Sequence, residues 1–378
     1  MGSVAGRQGK GNSRQRGRGR LWGGFGELAV ADKLAGQVRC GDLSNEAPQK
    51  PWASLYGGVW ALSAGVLLLE VSLTRVLSAL TWYHFAFLVI SAALLGFGAS
   101  GLVVYLLPRR RSEGALRWQL GLSGLGFVAS VFLLLSVLER YQPMVVTLRT
   151  GAMVGRLALG HVAVAAPFFF AGLSLALVFA SFARQSGALY ASDLLGAATG
   201  CVVAIVALER LGGVGAVVSS AAFVGLAVLL MSLHGRRLLL PGLGAAALLA
   251  STVLAPRASR FVPLRTGAGI EPEADLWNSF SRVTVKRGMY AGGFAWGPSP
   301  RYTPSVREIT AMIIDGKAWT VIERFEGNLE KVEYLKWDVT AFPYFLRTGG
   351  KVGVIGPGGG RDVLTALAFG HKRVVGWR

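Results

Sequence analysis

The stretch "KVGVIGPGGGRDVLTALAFGHKRVVGWR", residues 351–378, predicts a strand, a glycine-rich turn, a helix and a second strand. Glycines tolerate positive φ and allow close backbone approach to a ligand, while the following helix offers its N-terminal amides. We therefore expect a ligand over this turn. The alternative is a strand-to-helix turn without a ligand. The candidate binding residues are Gly356, Pro357, Gly358, Gly359, Gly360 and Asp362.

The glycine spacing separates two classes of ligand-binding turn. The dinucleotide pattern G-x-G-x-x-G fails, because the sixth position counted from Gly356 is Arg361. The pattern G-x-G-x-G fits through Gly356, Gly358 and Gly360. This spacing resembles the first motif of S-adenosylmethionine-dependent methyltransferases and of their aminopropyltransferase relatives.

The chain before this unit is strongly apolar. Its mean hydropathy is +0.49, and the apolar residues concentrate between about residues 51 and 256, which predicts a membrane protein. Seven stretches approach or exceed the roughly 20 helical residues that cross a bilayer. They predict an α-helical bundle of about seven spans within residues 52–256. The stretches are 55–80, 84–107, 118–138, 160–182, 189–208, 214–233 and 238–254.

Three ionisable residues lie at or inside these spans, namely Glu70, Arg75 and Asp193. A charge in lipid is costly, so each should face protein or a water-filled cavity. Glu70 and Arg75 are five positions apart, about 140° around a helix, and are poorly placed to pair with each other. We expect partners on neighbouring helices, such as His84 or Asp193. Both a polar substrate cavity and a structural polar clamp fit this pattern.

Residues 1–51 form a basic tail that we expect to be disordered, since residues 1–20 hold six Arg or Lys and no acid. An RNA-binding arm, a cytoplasmic tail beside anionic lipid and an over-extended start are all compatible with it, although no nucleic-acid partner is expected. The first long apolar run begins near Trp52 and is too long for a cleaved secretion signal. The two cysteines, Cys40 and Cys201, exclude a disulfide framework or a zinc cluster.

Basic residues at 109–111, 117, 236 and 237 join the basic N-terminus in favouring an inside start. Seven spans would then leave the C-terminal domain outside, which conflicts with an intracellular cofactor. The region 142–160, with Arg149 and Arg156, is where we expect an extra interfacial or re-entrant piece. We expect a multi-pass protein of the bacterial inner membrane with a cytoplasmic C-terminal domain.

The soluble part begins with a linker at 257–276 and a small β-element at 277–347. Strands at 309–314 and 317–322, joined by Asp315 and Gly316, predict a hairpin, and 281–287 predicts a third strand. The spacing at 329–346 predicts an amphipathic helix that is broken near Pro343. Residues 348–378 form the last unit.

Five segments together resemble the bacterial spermidine-synthase-like membrane proteins, over roughly residues 52–376. They are "LLLEVSLTRVLSALTWYHFAFLVISAALLGFGASG" (67–101), "LYASDLLGAATGC" (189–201), "WNSFSRV" (277–283), "IIDGKAWT" (313–320) and "VIGPGGGRDVLTALAFG" (354–370). The resemblance implies a membrane bundle, a small β-domain and the first β-α-β unit of a Rossmann-like S-adenosyl-binding fold. It also implies aminopropyl or methyl transfer, with S-adenosylmethionine or its decarboxylated form as cofactor. A polyamine or another small molecule would be the substrate.

Asp315 would be the substrate-binding residue by the same resemblance, and the first, third and fifth residues of the turn would cradle the ligand. The chain departs from the soluble synthases in having Gly359 where they have Asp and Trp319 where they have Gln. Trp377 and Arg378 stand where an acid should bind the ribose. We therefore expect a chain that lacks the catalytic half and is inactive in this form. The alternatives are a polyamine or small-solute transporter or membrane-binding protein with a vestigial C-terminal domain, and a structural membrane protein.

Overall fold

The computed structural model describes residues 51–80, 86–106, 112–140, 151–233, 238–265, 271–292, 296–303 and 306–377. The expected disordered tail and His84 therefore lie outside the described residues. The described chain is mostly helical, with a small antiparallel sheet and a two-stranded parallel sheet.

Six long helices form the first part of the chain. They are α1 (Ala53–Leu80), α2 (Ala86–Leu106), α3 (Glu113–Arg140), α4 (Gly151–Ser181), α5 (Ser186–Ser232) and α6 (Leu239–Leu254). Within the described ranges, six helices are long and apolar enough to cross a membrane, which indicates a membrane protein. The helix count is six rather than seven, because the fifth and sixth predicted spans both lie in α5. The later half of the predicted interfacial piece at 142–160 is the start of α4, and residues 141–150 are outside the described part.

The N-terminal half of α5 packs very closely on α1. A Cβ added at Gly196 would lie 2.2 Å from the carbonyl oxygen of Trp60, and one at Gly200 would lie 2.3 Å from that of Ala64. Residue numbers rise together along the two helices, so this half runs parallel to α1. The contact at these two glycines brings backbone against backbone.

The C-terminal half of α5 runs the other way. Gly65 packs against Val224 and Gly58 against Met231, so residue numbers fall on α5 as they rise on α1. Between the halves, Gly212 has φ 72° and ψ 178°, a conformation outside the helical region that glycine adopts readily. The contacts therefore show that α5 consists of two arms, 186–211 and 213–232, which reverse direction at Gly212.

The helical domain has two distinct ends. At one end the guanidinium of Arg117 lies 3.9 Å from the ring centroid of Trp52 and donates to the carbonyl oxygen of Leu233. At the other end, Trp277 packs against Gly213 between α1 and α5. The soluble part joins the helical domain at this second end.

The sheet contains β1 (Ala274–Trp277), β2 (Arg282–Gly292), β3 (Val306–Ile314) and β4 (Ala318–Ile322), all antiparallel and in chain order. Asp315 and Gly316, at φ 51° and 68°, form the turn between β3 and β4, so the predicted hairpin is confirmed. The third predicted strand is part of β2. The predicted linker holds α7 (Ala258–Phe261) and the start of β1.

The amphipathic helix predicted at 329–346 is broken, as expected, but at Asp338 rather than near Pro343. The chain forms 3₁₀ helices at Leu329–Trp337 and Val339–Ala341, followed by α8 (Phe342–Leu346). The break falls at Asp338, which is extended because its carboxylate accepts the backbone amides of Trp296 and Gly297. This contact of Asp338 with a distant segment therefore breaks the helix that the apolar spacing predicts.

The last unit consists of β5 (Lys351–Ile355), α9 (Arg361–Ala368) and β6 (Arg373–Trp377). The two strands are parallel, with Lys351 opposite Arg373 and Ile355 opposite Trp377. The predicted order of strand, turn, helix and strand is confirmed.

Candidate functional site

The glycine turn follows the carboxyl end of β5 and is closed by two backbone hydrogen bonds. The amide of Gly356 donates to the carbonyl of Trp377 at 2.8 Å, and that of Gly360 donates to Pro357 at 2.8 Å. Gly356, Gly358 and Gly360 have φ of 65°, 53° and 83°, a region that favours glycine. The turn is therefore fixed against the tip of β6 and leads directly into α9.

Gly359 has a different requirement, because it lies against the antiparallel sheet. A Cβ at this position would be 2.2 Å from the carbonyl oxygen of Val321 in β4. The backbone of β4 thus occupies the space that a side chain would need. This contact requires glycine at position 359.

Arg361, the first residue of α9, forms an ion pair with Asp338, 2.9 Å between Nη2 and Oδ2, and both side chains are almost fully buried. Asp362 lies beside it, half-buried in the first turn of the helix. Burial, and secondly the charge of Asp362, raise the pKa of the Tyr344 phenol. Because Asp338 neutralises Arg361, the charge that remains in the first turn of α9 is that of Asp362.

Sequence reasoning missed a buried charged group beside the turn. The Nε of Arg307 lies 3.5 Å from Oε2 of Glu323, and the Arg307 guanidinium lies 3.3 Å from the ring centroid of Tyr334. Burial, and secondly the neighbouring Glu323 carboxylate, raise the pKa of Tyr334 well above its ordinary value. The three residues come from β3, the end of β4 and a 3₁₀ helix, so no local spacing indicates them.

Asp315, the expected substrate residue, lies at the junction with the helical domain. Its carboxylate accepts hydrogen bonds from the guanidinium of Arg75 in α1 and from the amide of Arg282, the latter at 2.9 Å. Arg75 also donates to the hydroxyl of Ser78 at 2.8 Å. Burial lowers the pKa of the adjacent Lys317, while Asp315 acts in the opposite direction. Asp315 thus joins the β-hairpin to α1.

The three ionisable residues of the spans do not form one site. Asp193 accepts a hydrogen bond from the hydroxyl of Ser63, 12 positions before Arg75 on α1. Twelve helical residues correspond to about 18 Å. Glu70 is half-buried and has no hydrogen-bond or ion-pair partner among the described residues. The expected pairing of Arg75 with Asp193 is therefore not observed.

Trp377 stands at the tip of β6, and its indole lies over Gly353 of β5. Among the described residues, no group of three or more His, Cys, Asp or Glu side chains could hold a metal ion. Comparisons of the chain with protein families, with curated proteins and with solved structures found no match.

Proposed function

We propose that the chain is a membrane-anchored, spermidine-synthase-like protein whose glycine turn binds an S-adenosyl ligand, with aminopropyl or methyl transfer as the activity of its class. The observation that carries this is the turn itself: three glycines at positive φ join the carboxyl end of β5 to the start of α9. Ligands of parallel α/β units bind at this edge of the sheet, and the helix N-terminus supplies unpaired amides.

The charges around the turn favour an S-adenosyl ligand over a nucleotide phosphate. The cation at the start of α9, Arg361, is engaged by Asp338, and the next residue is the acid Asp362. A phosphate would meet a carboxylate here, whereas the sulfonium and ammonium of an S-adenosyl ligand carry positive charge. The N-terminal amides of α9 are available to donate hydrogen bonds to the carboxylate or hydroxyl groups of an S-adenosyl ligand.

Calorimetry on the full chain in lipid nanodiscs tests this directly. S-adenosylmethionine and its decarboxylated form are titrated separately, since the first supplies a methyl group and the second an aminopropyl group. Gly358→Val should abolish binding, because it forces a branched side chain into a left-handed conformation beside Thr320. Gly327→Val is the matched control, with φ 94° and open space around it. Failure of both ligands to bind the wild-type protein would refute the proposal.

We also propose that the two arms of α5 cross the membrane separately, giving seven crossings. Forty-seven helical residues would extend about 70 Å, more than twice a hydrocarbon core of about 30 Å, and the arms run in opposite directions along α1. The N-terminal end and the soluble part then lie on opposite sides. In the sequence, arginines 109–111 follow α2 and arginines 236–237 follow α5, and the positive-inside rule then favours a cytoplasmic N-terminal end. A cytoplasmic S-adenosyl ligand, in contrast, requires the soluble part inside.

Cysteine labelling in intact bacterial cells determines on which side of the membrane the soluble part lies. Glu326→Cys, introduced where Cys40 and Cys201 have been replaced by Ser, places a thiol on an exposed loop of the soluble part. Protection from a membrane-impermeant maleimide until the cells are opened supports a cytoplasmic ligand site in the inner membrane. Labelling of intact cells would exclude binding of a cytoplasmic S-adenosyl ligand.

A second candidate function is movement of a cationic solute through the helical domain, and Glu70 is the observation that favours it. Glu70 is half-buried in an apolar helix and has no partner within the described part of the chain, which is costly unless a cation or water reaches it. Uptake of a labelled polyamine into cells should be lost in Glu70→Gln and retained in Glu139→Gln, an exposed acid at the end of α3. Equal uptake by the wild type and Glu70→Gln would contradict this function.

A further inference from the structure

An open cleft of about 410 Å³ lies at the amino-terminal edge of β5 and β6, lined by residues 348–351 and 370–373. The strand register places Lys351 opposite Arg373, so these two cations stand side by side on neighbouring strands. The glycine turn lies at the other end of β5, about 15 Å away along a five-residue strand. The cleft is therefore separate from the proposed S-adenosyl site.

The cleft is strongly basic. Lys351, Lys372 and Arg373 are all exposed, and within the described chain none of them forms an ion pair. The residues that line the cleft include no Asp or Glu. Three uncompensated cations around one concave surface create a positive potential that attracts anions.

His371 lines the cleft, but its ring nitrogens lie beneath the surface. Only 6 % of this residue is exposed, and both ring nitrogens are buried, without a hydrogen-bond partner in the described part of the protein. The ring is held beside Tyr344, with 5.3 Å between the centroids. An anion in the open cleft therefore meets the three exposed cations and not the imidazole nitrogens.

We propose that the cleft binds a phosphate group, held by the exposed side chains of Lys351, Lys372 and Arg373. Phosphate oxygens accept several charge-assisted hydrogen bonds at once, and Arg binds two of them in one plane. The cleft is larger than a phosphate ion, so the group belongs to a monoester, either a free metabolite or a lipid headgroup. The exposed side chains of Phe345 and Leu346 precede the cleft in sequence and offer an apolar surface beside it.

Calorimetric titration of inorganic phosphate tests the site, with the full chain in phosphatidylcholine nanodiscs. The double variant Lys372→Gln/Arg373→Gln should bind phosphate at least about tenfold more weakly, since it removes two of the three cations that hold the phosphate. Arg324→Gln/Lys331→Gln is the matched control, because it removes two exposed cations that pair with Glu326 away from the cleft. It should leave the affinity unchanged.

Lys372 and Arg373 are exposed, so the double variant should fold as the wild type does, and circular dichroism checks this. Nanodiscs containing phosphatidic acid identify the source of the phosphate. Competition between the lipid and inorganic phosphate assigns the site to a headgroup, and equal affinity in both nanodiscs assigns it to a free monoester. Absence of phosphate binding, or equal binding by the double variant and the wild type, would overturn the inference.

Discussion

The close contact between α1 and the first arm of α5 makes a sharp prediction for Gly200→Ala. The new methyl carbon would lie 2.3 Å from the carbonyl oxygen of Ala64, whereas nonbonded heavy atoms prefer about 3.5 Å. The helices must therefore separate by roughly 1 Å at this point. That separation also strains the hydrogen bonds from Trp60 to Thr199 at 3.2 Å and from Ser192 to the carbonyl of Tyr56 at 2.7 Å.

The expected cost can be worked out from these contacts. Overpacking a tight interface costs about 1–3 kcal/mol, and replacing glycine by alanine within a helix returns about 0.5–1 kcal/mol. Gly200→Ala should therefore lower the free energy of unfolding by about 1–2 kcal/mol. Gly98→Ala in α2 is the matched control, because nothing lies within 4 Å of its added Cβ. That variant should be unchanged or slightly more stable.

Unfolding in mixed micelles by sodium dodecyl sulfate, followed by far-ultraviolet circular dichroism, measures both variants against the wild type. Equal stability of Gly200→Ala and Gly98→Ala would refute the parallel packing of the first arm on α1. It would also remove the contact evidence that α5 reverses direction at Gly212.

Two further predictions concern the soluble part. Asp315→Asn should destabilise the protein by about 1–3 kcal/mol, because it leaves the Arg75 guanidinium, 16 % exposed, without its carboxylate. A double-mutant cycle with Arg75→Gln, measured by thermal unfolding, should give a clear coupling energy, and a value near zero would contradict the junction. Tyr334 has a raised pKa, so its contribution to stability is fully present below its unfolded pKa of about 10 and is lost as the pH rises above it. Tyr334→Phe should lose less stability than the wild type above about pH 10, and parallel pH profiles would contradict the burial of the phenol.

The elements that sequence alone predicts are those with strong local signals. The hairpin turn at Asp315 and Gly316 and the strand before Gly356 depend on turn chemistry and on apolar runs, which act over a few residues. The apolar stretches likewise indicate membrane helices. The number of helices differs from the number of predicted spans. Two predicted spans lie in α5, which reverses direction at Gly212 without an intervening loop.

The candidate site shows the limits more clearly. The glycine positions at Gly356, Gly358 and Gly360 follow from spacing, but the partner of Gly359 is a strand that lies 38 positions earlier, at Val321. The cleft around His371 is likewise assembled from two segments, each of which is unremarkable alone. Arg75 has an acidic partner, as expected from the cost of an unpaired charge in a membrane. That this partner is Asp315 depends on where the hairpin docks, which the local sequence does not show.

The contact of Gly359 with Val321 has a practical consequence for dissecting the protein. A fragment that begins after β4 would keep the β5–turn–α9 sequence but lose the strand that presses on the turn. A longer fragment that begins at β1 would keep that strand but lose Arg75, to which the hairpin is attached. Ligand measurements on an excised soluble piece therefore report on a differently supported turn, and the intact chain in lipid is the correct experimental unit.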